Sequence, residues 1–213
     1  MSNLVHTGPR QLGPFEVGPF AFGCWRFTSD SVADAQALIE AAKDADYPAR
    51  IVGVIANTPE AAGLEIAKAE GISTAIVRLK DYANKTAADA AISAQCHGWA
   101  VDYICLAGFM RILGPEICED WRGHILNIHP SLLPSFPGLD THKRALEAGV
   151  PEHGCTVHFV TPDMDEGPII GQSSVPVQPG DTPESLAARV LVEEHRLYPE
   201  CLAKVVRSQV LMP

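Results

Sequence analysis

Residues 102–129 read DYICLAGFMRILGPEICEDWRGHILNIH, and the apolar runs at the two ends of this stretch decide the fold. The runs at 102–109 and 124–129 are short and almost continuously apolar, which is typical of strands buried on both faces. Upstream, residues 50–56 and 74–77 are further apolar strand candidates. Both contain several β-branched residues, which favour strands. Helical segments separate these strands, and this alternation indicates a parallel sheet covered by helices.

The helical segments carry local start and stop signals. Residues 32–42 are rich in good helix formers, and residues 84–97 form another helix candidate. Pro59 suits the first turn of a helix over residues 60–70. Each helix falls between two predicted strands, as a strand–helix–strand unit requires.

The pattern changes in the last third of the chain. Residues 155–160 and 169–175 flank an acidic loop at 162–168, which indicates two paired strands. Residues 183–206 then predict a closing amphipathic helix. The predicted fold is therefore a single α/β domain over residues 1–213. It has a Rossmann-like, mostly parallel sheet flanked by helices, with an antiparallel strand pair near the C-terminus.

Composition and charge exclude several classes of protein. Of the 213 residues, 46% are hydrophobic and 20% are charged, so disorder along the whole length is excluded. The formal net charge of −10 argues against nucleic-acid partners. No apolar run approaches the roughly 20 residues of a membrane helix, and the N-terminus lacks a secretory signal pattern. Six scattered cysteines without a CxxC pair predict reduced thiols and a cytoplasmic protein.

Three polar residues stand out as candidates for chemistry. Asn127 and His129 are two positions apart at a strand end, so their side chains point the same way in a regular strand. Asp165 lies in the acidic loop, which has room to fold back over that end. An amide donor, an imidazole and a carboxylate together stabilise an oxyanion and move a proton.

The residues alone are also compatible with other interpretations. The Asn-x-His pair is compatible with a local hydrogen-bonding device, and the acidic loop with a solvated turn. A metal site built from His129, His158 and Asp165 is conceivable but has no short-spaced ligand pair. Cys155 lies beside two histidines, but its expected role is core packing rather than nucleophilic attack.

Residues 126–139, LNIHPSLLPSFPGL, resemble the folate-dependent formyltransferases, and more narrowly the phosphoribosylglycinamide formyltransferases of purine synthesis. The resemblance continues through LAGFMRIL at 106–113, HGCTVHFV at 153–160 and DEGPII at 165–170. It covers about residues 37–206, most of the chain. It implies the formyltransferase fold and transfer of a formyl group from 10-formyltetrahydrofolate to the amine of glycinamide ribonucleotide.

The resemblance also implies roles for particular residues. Asn127, His129 and Asp165 become the catalytic residues: the first two stabilise an oxyanion, and Asp165 orients His129 and relays a proton. The predicted folate-binding residues are Met110, Arg111, Ile112, Leu113 and Val160. Glu194 is predicted to accept hydrogen bonds from the ribose of the nucleotide substrate. The formyl folate is a co-substrate, and neither a metal nor a nicotinamide is implied. The partners are small molecules, not nucleic acid or membrane.

The N-terminal segment departs from this family. The family's Gly-rich loop, which holds the substrate phosphate at a helix N-terminus, is replaced by GCWRFTSD at residues 23–30. Residues 11–42 instead resemble the start of an aldo-keto reductase, so the chain is interpreted as a chimera. We expect residues 1–19 to be an irregular lead-in. Residues 20–42 are expected to supply an atypical first strand at 20–27 and an atypical first helix.

These departures shape the functional expectation. The substituted loop is expected to weaken nucleotide binding, because Asp30 repels a phosphate and Trp25 and Phe27 are bulky. Asp140, where the family usually has histidine, adds a negative charge near the site and competes with Asp165 as the partner of His129. The alternatives are an inactive or folate-binding-only chimera, or slow hydrolysis of 10-formyltetrahydrofolate.

Overall fold

The computed structural model describes residues 10–12, 15–24 and 29–208. In this part of the chain, eight strands form one sheet with the order β4-β3-β2-β5-β6-β7-β8, and β1 pairs with β2. The strands are β1 Arg10–Leu12, β2 Phe15–Cys24, β3 Ala49–Ala56, β4 Ser73–Ile76, β5 Tyr103–Ala107, β6 Ile125–His129, β7 Glu152–Phe159 and β8 Ile169–Pro176. Strands β2 to β6 are parallel to one another, whereas β7 is antiparallel to both of its neighbours, β6 and β8. The predicted mostly parallel sheet with an antiparallel pair near the C-terminus is confirmed.

Helices cover both faces of this sheet. They are α1 Ser29–Ala41, α2 Ala62–Ala69, α3 Lys85–Gly98, α4 Pro115–Asp120, α5 Thr141–Ala148 and α6 Pro183–Ser208, with a 3₁₀ turn at Leu79–Asp81. The short helices α4 and α5 were not predicted from the sequence. Helix α2 begins after the residue Ala61, so Pro59 precedes it instead of occupying its first turn. The backbone N–H of Ala61 bonds the Thr58 carbonyl (3.4 Å), and this turn delays the start of the helix.

The N-terminal prediction needs a correction. Residues 10–12 and 15–19, expected to be irregular, belong to strands that pair antiparallel with Leu12 opposite Phe15. Glycine and proline suggested a loop, but Pro19 lies where β2 has only β3 as a parallel neighbour, since pairing with β5 begins at Phe20. The predicted first strand holds over residues 20–24, and residues 25–28 lie outside the described part of the chain.

The sheet separates two clusters of buried apolar side chains, and this arrangement places the site. One cluster includes Leu38 of α1 and Leu186 of α6, and the other includes Ile92 of α3 and Ile117 of α4. Strands β3 and β4 lie on one side of β2, and β5 and the later strands lie on the other, so the strand order reverses at β2. Sheets of this topology bind ligands at the carboxyl ends of the strands. Among the described residues, no helix is both long enough and apolar enough to cross a membrane.

Candidate active site

His129 and Asp165 meet at the carboxyl end of β6. His129 ends this strand, and its Nδ1 lies 3.4 Å from Asp165 Oδ2. The other ring nitrogen, Nε2, donates to the Phe136 carbonyl oxygen at 3.1 Å. The His129 side chain is 7% exposed and the Asp165 side chain 12%, so both lie largely out of solvent. The acidic loop therefore folds back over the strand end.

Asn127 joins this pair through a residue that the sequence analysis had not assigned an orienting role. Asn127 lies directly opposite His158 in the antiparallel β6–β7 register, and its Nδ2 donates to His158 Nε2 at 3.2 Å. His158 Nδ1 donates to the Phe159 carbonyl at 2.9 Å, so Nε2 carries the lone pair. Burial lowers the pKa of His158 and favours this neutral ring. His158 therefore fixes which end of the Asn127 amide faces it.

His158 also closes the group on its far side. Its Nε2 lies 3.8 Å from Asp165 Oδ1, so it contacts both Asn127 and the acidic loop. The strand register is what identifies this role of His158, because it places a histidine of the neighbouring strand opposite Asn127. In the described part of the chain, no group of three or more histidine, cysteine, aspartate or glutamate residues is arranged to hold a metal ion.

Asp165 is held by the backbone on two sides. Its Oδ2 accepts a hydrogen bond from the Gly138 N–H at 2.8 Å. Its own backbone is left-handed, with φ of 57°. This conformation is uncommon outside glycine but is tolerated best by asparagine and aspartate. The carboxylate is thus aimed at His129 by the loop that carries it and by the loop that faces it.

The segment after β6 is anchored by polar side chains of β7 and β8. Thr156 Oγ1 donates to the Ser131 carbonyl at 2.7 Å and accepts from the Leu133 N–H at 3.0 Å. Gln172 Nε2 donates to the Leu133 carbonyl at 2.8 Å. Ser131 Oγ bonds the Ser135 carbonyl at 2.6 Å and closes the turn. The backbone that presents the Phe136 carbonyl to His129 is therefore fixed at its start.

The predicted folate-binding residues divide into exposed and buried members. Met110 and Ile112 are 59% and 50% exposed, whereas Leu113 packs into the core cluster beneath α3 and α4. Arg111 forms an ion pair with the buried Asp89 of α3. The second oxygen of Asp89 accepts from the Gly114 N–H at 2.9 Å. The loop after β5 is thus tied down at both sides, while Met110 and Ile112 remain exposed.

Met110 and Arg111 also line a cavity of about 440 Å³, together with Arg78 and Lys80. This size lies within the range of small-molecule sites. Val160, the fifth predicted folate residue, packs on the core cluster beneath α3 and α4, and its N–H bonds the Ile125 carbonyl at 2.9 Å. The structure therefore brings Met110 and Arg111 to the cavity and uses Leu113 and Val160 as support, while the exposed Ile112 is not part of the cavity lining.

Glu194 is buried, at 7% exposure, and is not an exposed helical glutamate. Its neighbour His195 places Nε2 3.6 Å from Asp34 Oδ1, which joins α6 to α1. Cys155 is fully buried near these carboxylates, and burial, followed by the charge of Glu194, raises the pKa of its thiol. The thiol stays protonated, which agrees with core packing and not with nucleophilic attack.

Asp140 does not replace Asp165 as the partner of His129. It precedes α5 with a left-handed φ of 56°, and His129 is paired with Asp165. Residues 25–28 of the substituted loop, which include the bulky Trp25 and Phe27, lie outside the described residues.

Comparisons with known proteins agree with this geometry. The family model described as "Formyl transferase" matches residues 25–202. Phosphoribosylglycinamide formyltransferase of Escherichia coli is 43% identical over 171 residues, which are 80% of this chain and 81% of that protein. The crystal structure of phosphoribosylglycinamide formyltransferase from Brucella melitensis has 47% identity and a TM-score of 0.84, covering 93% of this chain and all of that one.

A longer relative matches over the same region. The trifunctional purine biosynthetic protein adenosine-3 of Bos taurus is 46% identical over 182 residues. This match takes in 85% of the present chain but only 18% of the length of the bovine protein. Since the family model and the Escherichia coli relative both cover most of the sequence, the chain belongs to the formyl transferase family.

Proposed function

We propose that this chain transfers the formyl group of 10-formyltetrahydrofolate to the amine of glycinamide ribonucleotide, a step of purine biosynthesis. The observation that carries the proposal is the convergence of three polar tips at the end of β6. His129 Nδ1 is 3.4 Å from Asp165 Oδ2, and the Asn127 amide is oriented 3.2 Å from His158 Nε2. The names of the similar proteins supply the acceptor and the formyl group, and the resemblance described in the sequence analysis supplies the folate donor.

This geometry suits acyl transfer from a folate. The substrate amine attacks the formyl carbon, and the bond from that carbon to N10 of the folate then breaks. The Asn127 N–H donates to the intermediate oxyanion, and the positive charge of a protonated His129 stabilises it, because donors and charges placed at developing charge lower the barrier. The proton lost by the amine passes through the His129–Asp165 pair to the leaving folate nitrogen. Positioned proton transfer of this kind is worth about 10²–10⁴ in rate.

The cavity beside Met110 and Arg111 is the proposed folate site. A formyl folate combines a flat heteroaromatic ring with a carboxylate tail. The exposed Met110 offers apolar surface to the ring, and Arg78 and Lys80 offer positive charge to the tail. Glu194, buried in α6, is the proposed acceptor for the ribose hydroxyls.

An assay of both products tests this proposal. The purified chain is given 10-formyltetrahydrofolate and glycinamide ribonucleotide, and the formylated nucleotide and free formate are measured separately. We expect formylated nucleotide, with His129→Ala slower by about 10² or more. His97→Ala serves as the matched control, because the His97 side chain is 57% exposed. This variant should keep the parent rate.

Two outcomes would contradict the proposal and favour the alternatives. Formate without formylated nucleotide would identify a hydrolase. Equal background rates in the parent chain and His129→Ala would identify a folded but inactive or folate-binding-only protein. The predicted cytoplasmic location and the predicted independence from metal and nicotinamide belong to the same proposal.

A further inference from the structure

Three consecutive residues after β6 hold both members of the His129–Asp165 pair. The Phe136 carbonyl accepts from His129 Nε2 at 3.1 Å, and the Gly138 N–H donates to Asp165 Oδ2 at 2.8 Å. The separation of the imidazole and the carboxylate therefore depends on the path of the backbone over residues 136–138. We refer to residues 136–139 as the orienting segment.

The orienting segment has its least intrinsic stiffness at Gly138. Gly138 has φ of 77° and adopts a conformation that glycine enters freely and leaves as freely. The flanking Pro137 and Leu139 are exposed, so neither is held by core packing. The anchors described above through Thr156 and Gln172 reach only to Leu133 and do not fix the segment beyond Phe136.

Arg144 supplies the missing constraint from α5. Its Nη1 donates to the Pro137 carbonyl at 2.6 Å and to the Leu139 carbonyl at 3.2 Å. Its guanidinium carbon lies 5.6 Å from the centre of the Phe136 ring, within cation–π range. The Arg144 side chain thus contacts Pro137 and Leu139, on either side of Gly138, and the ring of Phe136.

We propose that Arg144 is a positioning residue for formyl transfer: it holds the orienting segment and so sets the approach of His129 to Asp165. The inference rests on the proposed function. Both carbonyls that Arg144 bonds belong to exposed residues, so water replaces the side chain when it is removed and the fold loses little free energy. A small displacement of positioned groups is, by contrast, costly in rate, about 10²-fold for 1 Å.

Substitution with kinetic analysis tests this role. Arg144→Met keeps an aliphatic side chain but removes the donors and the charge, and Arg144→Lys keeps a donor and the charge. We expect Arg144→Met to lower kcat by about 10- to 100-fold. We expect KM for the formyl donor to stay within about twofold, because ground-state binding is not what is lost. The pH profile of kcat should shift in Arg144→Met, and Arg144→Lys should recover part of the rate.

Lys143→Met is the matched control. Lys143 is the preceding residue of α5, its side chain is 65% exposed, and it lies 3.8 Å from Glu147. It should retain the parent kcat and the parent pH profile. A kcat of Arg144→Met equal to that of Lys143→Met would overturn the proposal. A loss of rate that follows a matching loss of thermal stability, and disappears at a lower temperature, would overturn it as well.

A measurement without turnover separates this inference from the proposed function. The His129 Nε2–H signal in NMR spectra of ¹⁵N-labelled protein reports the bond to the Phe136 carbonyl. In Arg144→Met this signal should exchange faster with water than in the parent and in Lys143→Met. If the parent chain proves inert in formyl transfer, unchanged exchange in Arg144→Met still refutes the positioning role, and faster exchange supports it.

Discussion

His158 faces Asn127 across two antiparallel strands and holds its amide in one orientation. The neutral ring accepts from Asn127 through Nε2 because Nδ1 is already bonded to the Phe159 carbonyl at 2.9 Å. An amide turned by half a circle would present an oxygen where the proposed reaction needs a donor. At the scale of the residue, the chemistry of Asn127 is therefore decided by a neighbour that need not touch the substrate.

Removing the acceptor at position 158 should therefore impair catalysis. We expect His158→Leu to reduce kcat by about 10-fold or more, since Asn127 loses its fixed direction. His158→Gln keeps an oxygen acceptor and should recover part of that loss. Steady-state kinetics measures both, and His124→Gln, in a strand-end histidine outside the site, is the control. Equal rates in the Leu and Gln variants would show that the acceptor is not what matters.

At the scale of the element, Asp89 ties the loop after β5 to α3. It is 2% exposed and pairs with Arg111, and it also accepts from the Gly114 N–H at 2.9 Å. A buried pair contributes little net stability, but loss of one partner leaves a charge in a poorly solvated place. Helix α3 therefore holds the loop with the exposed apolar residues in place, although α3 does not line the cavity.

Asp89→Asn should weaken both folding and folate binding. We expect the free energy of unfolding to fall by about 3–5 kcal/mol, because Arg111 loses its carboxylate partner. KM for the formyl donor should rise as the loop loosens. Glu119→Gln is the matched control, since the Glu119–Arg122 pair is exposed and such pairs are worth about 0–1 kcal/mol. Denaturant unfolding and substrate titration check this, and an unchanged KM would contradict the coupling.

The sequence predicted the elements whose signals are local. The strand that carries Asn127 and His129 was expected from its apolar run, and Asp165 from its acidic loop. It could not predict that His158 orients Asn127, because that contact depends on strand register over 31 positions. Arg144 was missed for a related reason: its partners are backbone carbonyls, which leave no mark in the sequence. The strand residues at 10–12 and 15–19 were missed because glycine and proline also occur where a strand lacks one neighbour.

At the scale of the whole molecule, the N-terminal segment supplies the central strand of the sheet. The strand at residues 15–24 occupies the central position between β3 and β5. Helix α1 follows it from Ser29. The sequence over residues 23–30 lacks the Gly-rich loop that the resemblance implies for the substrate phosphate, and its likeness to an aldo-keto reductase remains a prediction.

Nucleotide binding should be weaker than folate binding for this reason. Titration calorimetry with glycinamide ribonucleotide and with a folate analogue measures each separately. We expect Asp30→Asn to tighten binding of the nucleotide, because a carboxylate near a phosphate is repulsive, and to leave folate binding unchanged. Equally tight binding of both ligands by the parent chain would show that the substituted loop still serves the phosphate.

The left-handed backbone at Asp165 restricts how this position can vary during evolution. Most substitutions there would change both the charge and the ease of adopting a φ of 57°, so two penalties fall together. Asparagine escapes the second penalty and is the replacement that isolates the first. The backbone alone therefore penalises most replacements at position 165 by about 1–3 kcal/mol, before selection on turnover acts.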